Sequence, residues 1–92
     1  MTRRLIVNAD DFGLTPGVSE GILAAHRHGI VTSTTVLVNS SIPPHHVARA
    51  RDSGLGIGLH ANLTLGRPLT SGAALVDESG RFVRDEIGRA HV

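Results

Sequence analysis

The sequence predicts an α/β fold with a parallel sheet, in the order β-α-β-α-β. Short apolar runs with the character of buried strands recur at Leu5-Ile6-Val7, Thr34-Thr35-Val36-Leu37-Val38 and Leu55-Gly56-Ile57-Gly58-Leu59. The segments between them are long enough to cross over as helices, which parallel pairing requires. Each run also ends in polar residues: Asn8, Asp10 and Asp11 after the first, Asn39 and Ser40 after the second, His60 and Asn62 after the third. Function gathers at the C-terminal ends of parallel strands, in βα-barrels above all.

Each element has a local cause. Leu5 to Val7 is fully apolar, as in a strand buried on both faces. Thr15-Pro16 opens the first helix, with Thr15 as N-cap and Pro16 at the first helical position. Val18, Ile22 and Ala25 supply its apolar stripe, and Gly29 ends it with Ile30 as the accompanying hydrophobic contact. Thr34 to Val38 is rich in β-branched residues and forms the second strand. Pro43-Pro44 starts a second helix over roughly 45–52, which Gly54 closes. Leu55 to Leu59 is the third strand. Beyond Leu65 the pattern weakens; Leu75-Val76 and Phe82-Val83 flank the turn Asp77-Glu78-Ser79-Gly80 as a small hairpin. Residues 85–92 are polar and carry no periodic signal.

Composition narrows the function. Ninety-two residues hold one small domain at most. The nine basic residues are all Arg, scattered and unaccompanied by an aromatic platform, and the net charge is +1, so nucleic acid is not the expected partner. Without Cys, disulfides and thiolate metal sites are excluded. No apolar stretch approaches the ~20 residues of a membrane span. Arg3-Arg4 before Leu5 imitates a signal peptide, but Asn8, Asp10 and Asp11 interrupt the apolar run. A cytoplasmic, soluble protein is expected.

Chemistry concentrates in Asp10, Asp11 and His60. Adjacent carboxylates at the end of a buried strand are costly unless something pairs with them, and a divalent cation does so. One carboxylate can ligate the ion while the other acts as a general base on an attacking water, a combination suited to amide or ester hydrolysis. The simpler alternative is that either Asp caps a turn before Gly13. An imidazole at a neighbouring strand end adds a second metal donor. His26 and His28 fall at a helix end where a cation suits the dipole. His45 and His46 follow Pro44 and are expected to face solvent. His91 lies in the tail. Gly56 and Gly58 sit in a strand rather than in a turn opening a helix, so they are not a dinucleotide fingerprint.

Several motifs in order carry a family resemblance. Asn8-Ala9-Asp10-Asp11-Phe12-Gly13, Thr15-Pro16-Gly17-Val18, the stretch from Ala25 to Thr34, and Gly56-Ile57-Gly58-Leu59-His60-Ala61-Asn62-Leu63-Thr64 resemble the YdjC-like carbohydrate deacetylases, over about residues 4–84. That group includes chitooligosaccharide and hopanoid-biosynthesis-associated deacetylases. The resemblance implies a TIM-like βα-barrel and metal-dependent removal of the N-acetyl group from an amino sugar. It implies Asp11 and His60 as ligands of a divalent ion, Mg or Zn, and Asp10 as catalytic base. Asn8 and Asn39 are implied as supporting residues. Members of the family are longer and take a further histidine ligand and a general acid from later strands.

Residues 1–92 are therefore expected to form one partial domain, three βα units of a barrel that needs about seven or eight. Three parallel strands leave an open edge, which predicts a homo-oligomer or a complementary chain. The alternative function is a catalytically incomplete fragment, or a remnant that binds metal or sugar without hydrolysis.

Overall fold

The computed structural model describes residues 2–71 and 74–83. The predicted His91 and the polar segment 84–92 lie outside them. The chain divides into two units, Met1–His60 and Ala61–Val92. Among the described residues the first holds every regular element: β1 (Asn8–Phe12), α1 (Pro16–His28), β2 (Ser33–Leu37), α2 (Pro44–Asp52) and β3 (Gly56–His60). These strands pair in parallel in the order β1-β2-β3, so the predicted α/β topology is present as a three-stranded sheet with two helices.

α1 begins and ends where its signals stand. Thr15 Oγ1 accepts from Val18 N at 3.1 Å, and Pro16 is the first helical residue. Ser19, Ile22 and Leu23 are its buried residues, at the spacing that lines one face of a helix. Ile30 does not supply the closing contact: it is exposed, and Val31 instead packs against the core while its N–H bonds Ala25 O at 3.3 Å. α2 follows Pro43 and gives way to Gly54, whose φ of +79° suits a residue without Cβ.

β1 and β3 sit later than the apolar runs suggest, while β2 begins one residue earlier than its run. β1 starts at Asn8, and Leu5 and Ile6 are 76% and 79% exposed. Register is the reason. Asn8 pairs with Ser33, the first residue of β2, so the residues before Val7 face no strand. Val7 is the junction: its carbonyl accepts from Thr32 N at 2.9 Å and Ser33 N at 3.2 Å. The polar motif thus forms the strand instead of following it. That is tolerable because side chains alternate between faces.

One face carries Ala9, Phe12 and Val36, which pack with Ile22, Leu23, Ala50 and Leu55 to make the core under the helices. Thr34, buried on that side, satisfies its hydroxyl on Ala9 O at 2.6 Å. The other face carries Asn8, Asp10, Ser33, Thr35 and, by register, Gly56, Gly58 and His60.

The second unit is mostly loop. Val76 and Phe82 form an antiparallel bridge around the predicted turn. Asp77 Oδ1 accepts from Ser79 N at 2.9 Å and Ser79 Oγ at 2.6 Å, an Asx-type closure. Those bonds hold its carboxyl below the ordinary aspartate value. Asn62 folds its own loop, its Oδ1 accepting from Thr64 N and Leu65 N and its Nδ2 donating to Leu65 O.

Candidate functional site

The site begins with an irregularity in β1. Ala9 pairs with Thr34 and Phe12 with Val36, so both Asp10 and Asp11 stand opposite the single residue Thr35. This is a β-bulge, a device that re-aims side chains. Asp11 absorbs the extra residue with a φ of +75°, the one positive value among the described non-glycine residues. Such a conformation costs on the order of 1–3 kcal/mol and persists only where its surroundings enforce it. The enforcement is visible. Leu14 N bonds Asp11 O at 3.0 Å, and Gly13 follows with φ +96°. A Cβ on Gly13 would lie 2.6 Å from Ile42 Cδ1, and Gly13 N donates to the buried Ser19 hydroxyl at 2.9 Å. The Asp-Asp-Phe-Gly sequence is therefore a bulge and its exit turn, pinned from α1.

The bulge brings Asp11 to His60. Neighbouring strands lie about 4.8 Å apart, so β1 and β3 are separated by about 10 Å across β2. Asp11 Oδ1 nevertheless approaches His60 Nδ1 to 2.9 Å above the intervening strand. Leu37, the register partner of His60, is fully buried on β2. The contact is close without being a hydrogen bond: Nδ1 is shielded from solvent and has no hydrogen-bond partner. A ring nitrogen and a carboxylate oxygen converging in this way, with the nitrogen orphaned, are suited to share a cation, which would satisfy both. One oxygen and one imidazole nitrogen fit a divalent ion by donor chemistry. They are two donors; among the described residues no third ionisable ligand joins them.

Asp10 is held differently. Its Oδ1 accepts from Asn8 Nδ2 at 2.8 Å and from Thr35 Oγ1 at 2.8 Å. Asn8 Oδ1 in turn accepts from Ser33 Oγ at 2.7 Å. Both bonds to Asp10 fall on one oxygen, which leaves Oδ2 without a hydrogen bond. The supporting role expected of Asn8 is thus a hydrogen bond to Asp10. Ser33 and Thr35 were not singled out by the sequence. The signal was available: hydroxyl residues two apart on a strand share a face with the carboxylates opposite. Beside them Gly58 leaves room on the sheet; a Cβ there would make only ordinary contacts, with Thr35 Cγ2 at 3.7 Å and Thr34 O at 3.9 Å. Asn39 sits in the turn after β2.

The remaining histidines separate. His26 uses both ring nitrogens structurally, Nδ1 at 2.6 Å from Val31 O and Nε2 at 3.2 Å from Ser53 O. His28 is exposed. His46 is not the solvent-facing residue expected from its neighbours Pro44 and His45; it is 2% exposed. Glu20, 26 residues earlier on α1, draws it inward through a 2.8 Å contact with Nε2. No local pattern reports that pairing.

Comparison with known proteins gives consistent matches. The model of the family described as YdjC-like protein matches residues 4–92. A protein named carbohydrate deacetylase 2 from Listeria innocua serovar 6a is 50% identical over 82 residues, 88% of this chain and 33% of that protein. A carbohydrate deacetylase of Geobacillus stearothermophilus is 48% identical over 85 residues, 91% of this chain and 35% of the relative. A crystal structure from Enterococcus faecalis V583, provisionally described as a cellobiose-phosphate cleavage protein, superposes with a TM-score of 0.79 at 42% identity, over 95% of this chain and 36% of that one. The chain thus spans about a third of the length of the relatives it matches. Among the described residues no helix is long and apolar enough to cross a membrane.

Proposed function

The chain belongs to the YdjC-like family, and on that premise we propose that it carries the metal-binding and base-bearing strands of a divalent-metal-dependent carbohydrate deacetylase. The substrate would be an N-acetylated amino sugar or oligosaccharide, in keeping with relatives named carbohydrate deacetylase. The observation that carries the reading is the convergence of Asp11 Oδ1 and the orphaned His60 Nδ1 at 2.9 Å.

The residues divide the work. A divalent ion held by Asp11 and His60 would polarise the acetamide carbonyl and acidify a water. Asp10 takes the proton of the attacking water. Its Oδ1 is occupied by Asn8 and Thr35, which orients the carboxylate and makes Oδ2 the accepting atom. Ser33 acts through Asn8 on the same orientation. The general acid that protonates the departing amine, and a further metal ligand, would come from the part of the family's length that this chain does not span. The sheet would continue there from β3 toward a TIM-like barrel, in the same chain or a complementary one.

A second reading has its own observation. The helix-side face of β3 is open, with Ile57 51% and Leu59 67% exposed. This favours a unit that is catalytically incomplete alone and binds metal or sugar without hydrolysis.

Magnesium and zinc titrations of the 92-residue chain, followed by acetate release from an N-acetylated oligosaccharide, separate the readings. Magnesium binding lost in both Asp11→Asn and His60→Ala, with acetate release, supports the deacetylase; the same binding without acetate supports the incomplete unit. Magnesium binding that survives both substitutions removes the assignment of these two residues.

A further inference from the structure

The helical layer holds a second constellation of donors. Glu20 on α1 and His45 and His46 on α2 each offer a ligand atom, and these atoms all lie within 4.8 Å of one another. The group is tertiary, assembled from two helices. His46 is buried with Nε2 2.8 Å from Glu20 Oε1, while its Nδ1 is buried with no hydrogen-bond partner. A buried, unpaired ring nitrogen is uncommon and calls for a cause. The His45 ring stands beside it, centroids 4.2 Å apart.

We propose that Glu20, His45 and His46 form a second metal site, one that takes a zinc-like ion in preference to magnesium. Two imidazoles and one carboxylate are a donor set used for zinc. Magnesium prefers an all-oxygen octahedron and is disfavoured by two nitrogen ligands. The site does not depend on Asp11 or His60. Its opponents are also identifiable. Arg49 Nη1 contacts the same Glu20 Oε1 at 2.5 Å and competes with any cation for it. The N-terminus of α2 adds a positive partial charge. Arg49 therefore sets the affinity. Removing it should tighten metal binding, whereas a purely structural ion-pair network would only be loosened.

The test is a zinc titration of the intact 92-residue chain by calorimetry and by the imidazole resonances, repeated with magnesium. Zinc is expected to shift the His45 and His46 resonances, and magnesium is expected not to. His45→Ala should weaken that binding by at least about tenfold, in line with the sensitivity of metal sites to ligand-shell changes. His45 is exposed, so the variant keeps its fold. Arg49→Gln should bind zinc more tightly than the parent. Asp11→Asn should leave the His45 and His46 shifts in place, whatever it does to the other site. Unshifted His45 and His46 resonances, or zinc binding unchanged in His45→Ala, would overturn the proposal.

Discussion

The two faces of the sheet are built by opposite rules. The helix-side face spends its residues on burial: Ala9, Phe12 and Val36 pack into one cluster with residues of α1 and α2. The open face makes a chain of polar contacts, Ser33 to Asn8 to Asp10 to Thr35, with Asp11 and His60 converging beside it. Alternation alone would give β1 one carboxylate per face. The bulge breaks that alternation, so Asp10 and Asp11 both stand opposite Thr35. Stability and chemistry are thereby separated by the thickness of one strand.

The largest effect should come from attacking the covered face. Phe12 is 1% exposed and central to the cluster. Phe12→Ala removes its contacts and leaves a cavity, a loss of about 3–5 kcal/mol in cores of ordinary size. A three-stranded unit of this size has little stability beyond that. The expected result is loss of cooperative unfolding in a denaturant series. A variant that still unfolds cooperatively with an unchanged midpoint would mean that the helix-side cluster is not what holds the sheet.

Legibility in the sequence follows the same division. α1 could be placed to the residue because its signals are local: a Thr cap, a Pro at the first helical position and a glycine after the last turn. The parallel order followed from crossover length. Asp11 and His60 stand out in the sequence because polar residues at strand ends converge in such folds; the structure puts Asp11 Oδ1 2.9 Å from His60 Nδ1. What escaped was non-local. The start of β1 depends on where β2 begins, not on how apolar Leu5 and Ile6 are. The bulge depends on Gly13 packing against Ile42, and the burial of His46 on Glu20. These are contacts between elements, to which a window of neighbouring residues is blind.

The intermediate effect lies at the seam between the faces. Asp11 holds φ +75°, a conformation glycine adopts without penalty. Asp11→Gly relieves strain of order 1–3 kcal/mol and incurs about 0.5–1 kcal/mol of extra chain entropy. A net gain of about 1 kcal/mol is expected, read as a higher denaturation midpoint, together with loss of the carboxylate that meets His60. Stability rising as metal binding falls would identify Asp11 as a residue retained for chemistry against the preference of the backbone. A destabilised variant would show instead that the contact with His60 outweighs the strain.

The smallest effect on folding should come from Thr35→Val, and it sharpens the comparison most. The hydroxyl lies on the open face and the β-branched shape is preserved, so the strand keeps its propensity. Its bond to Asp10 is solvent-accessible, and loss of such a bond costs about 0.5–1.5 kcal/mol at most. Asp10, however, loses one of the two donors that fix its Oδ1. The midpoint of unfolding should hardly move, while the Asp10 side chain populates additional rotamers, visible in the couplings of its β-protons. The same substitution on the covered side, Thr34→Val, removes the buried hydroxyl that donates to Ala9 O at 2.6 Å. Comparing the two isosteric changes, one strand position apart, measures how far the open face is free of the folding constraint. Equal destabilisation by both would mean that the polar face contributes to stability as the apolar one does, and that the division between them is one of composition alone.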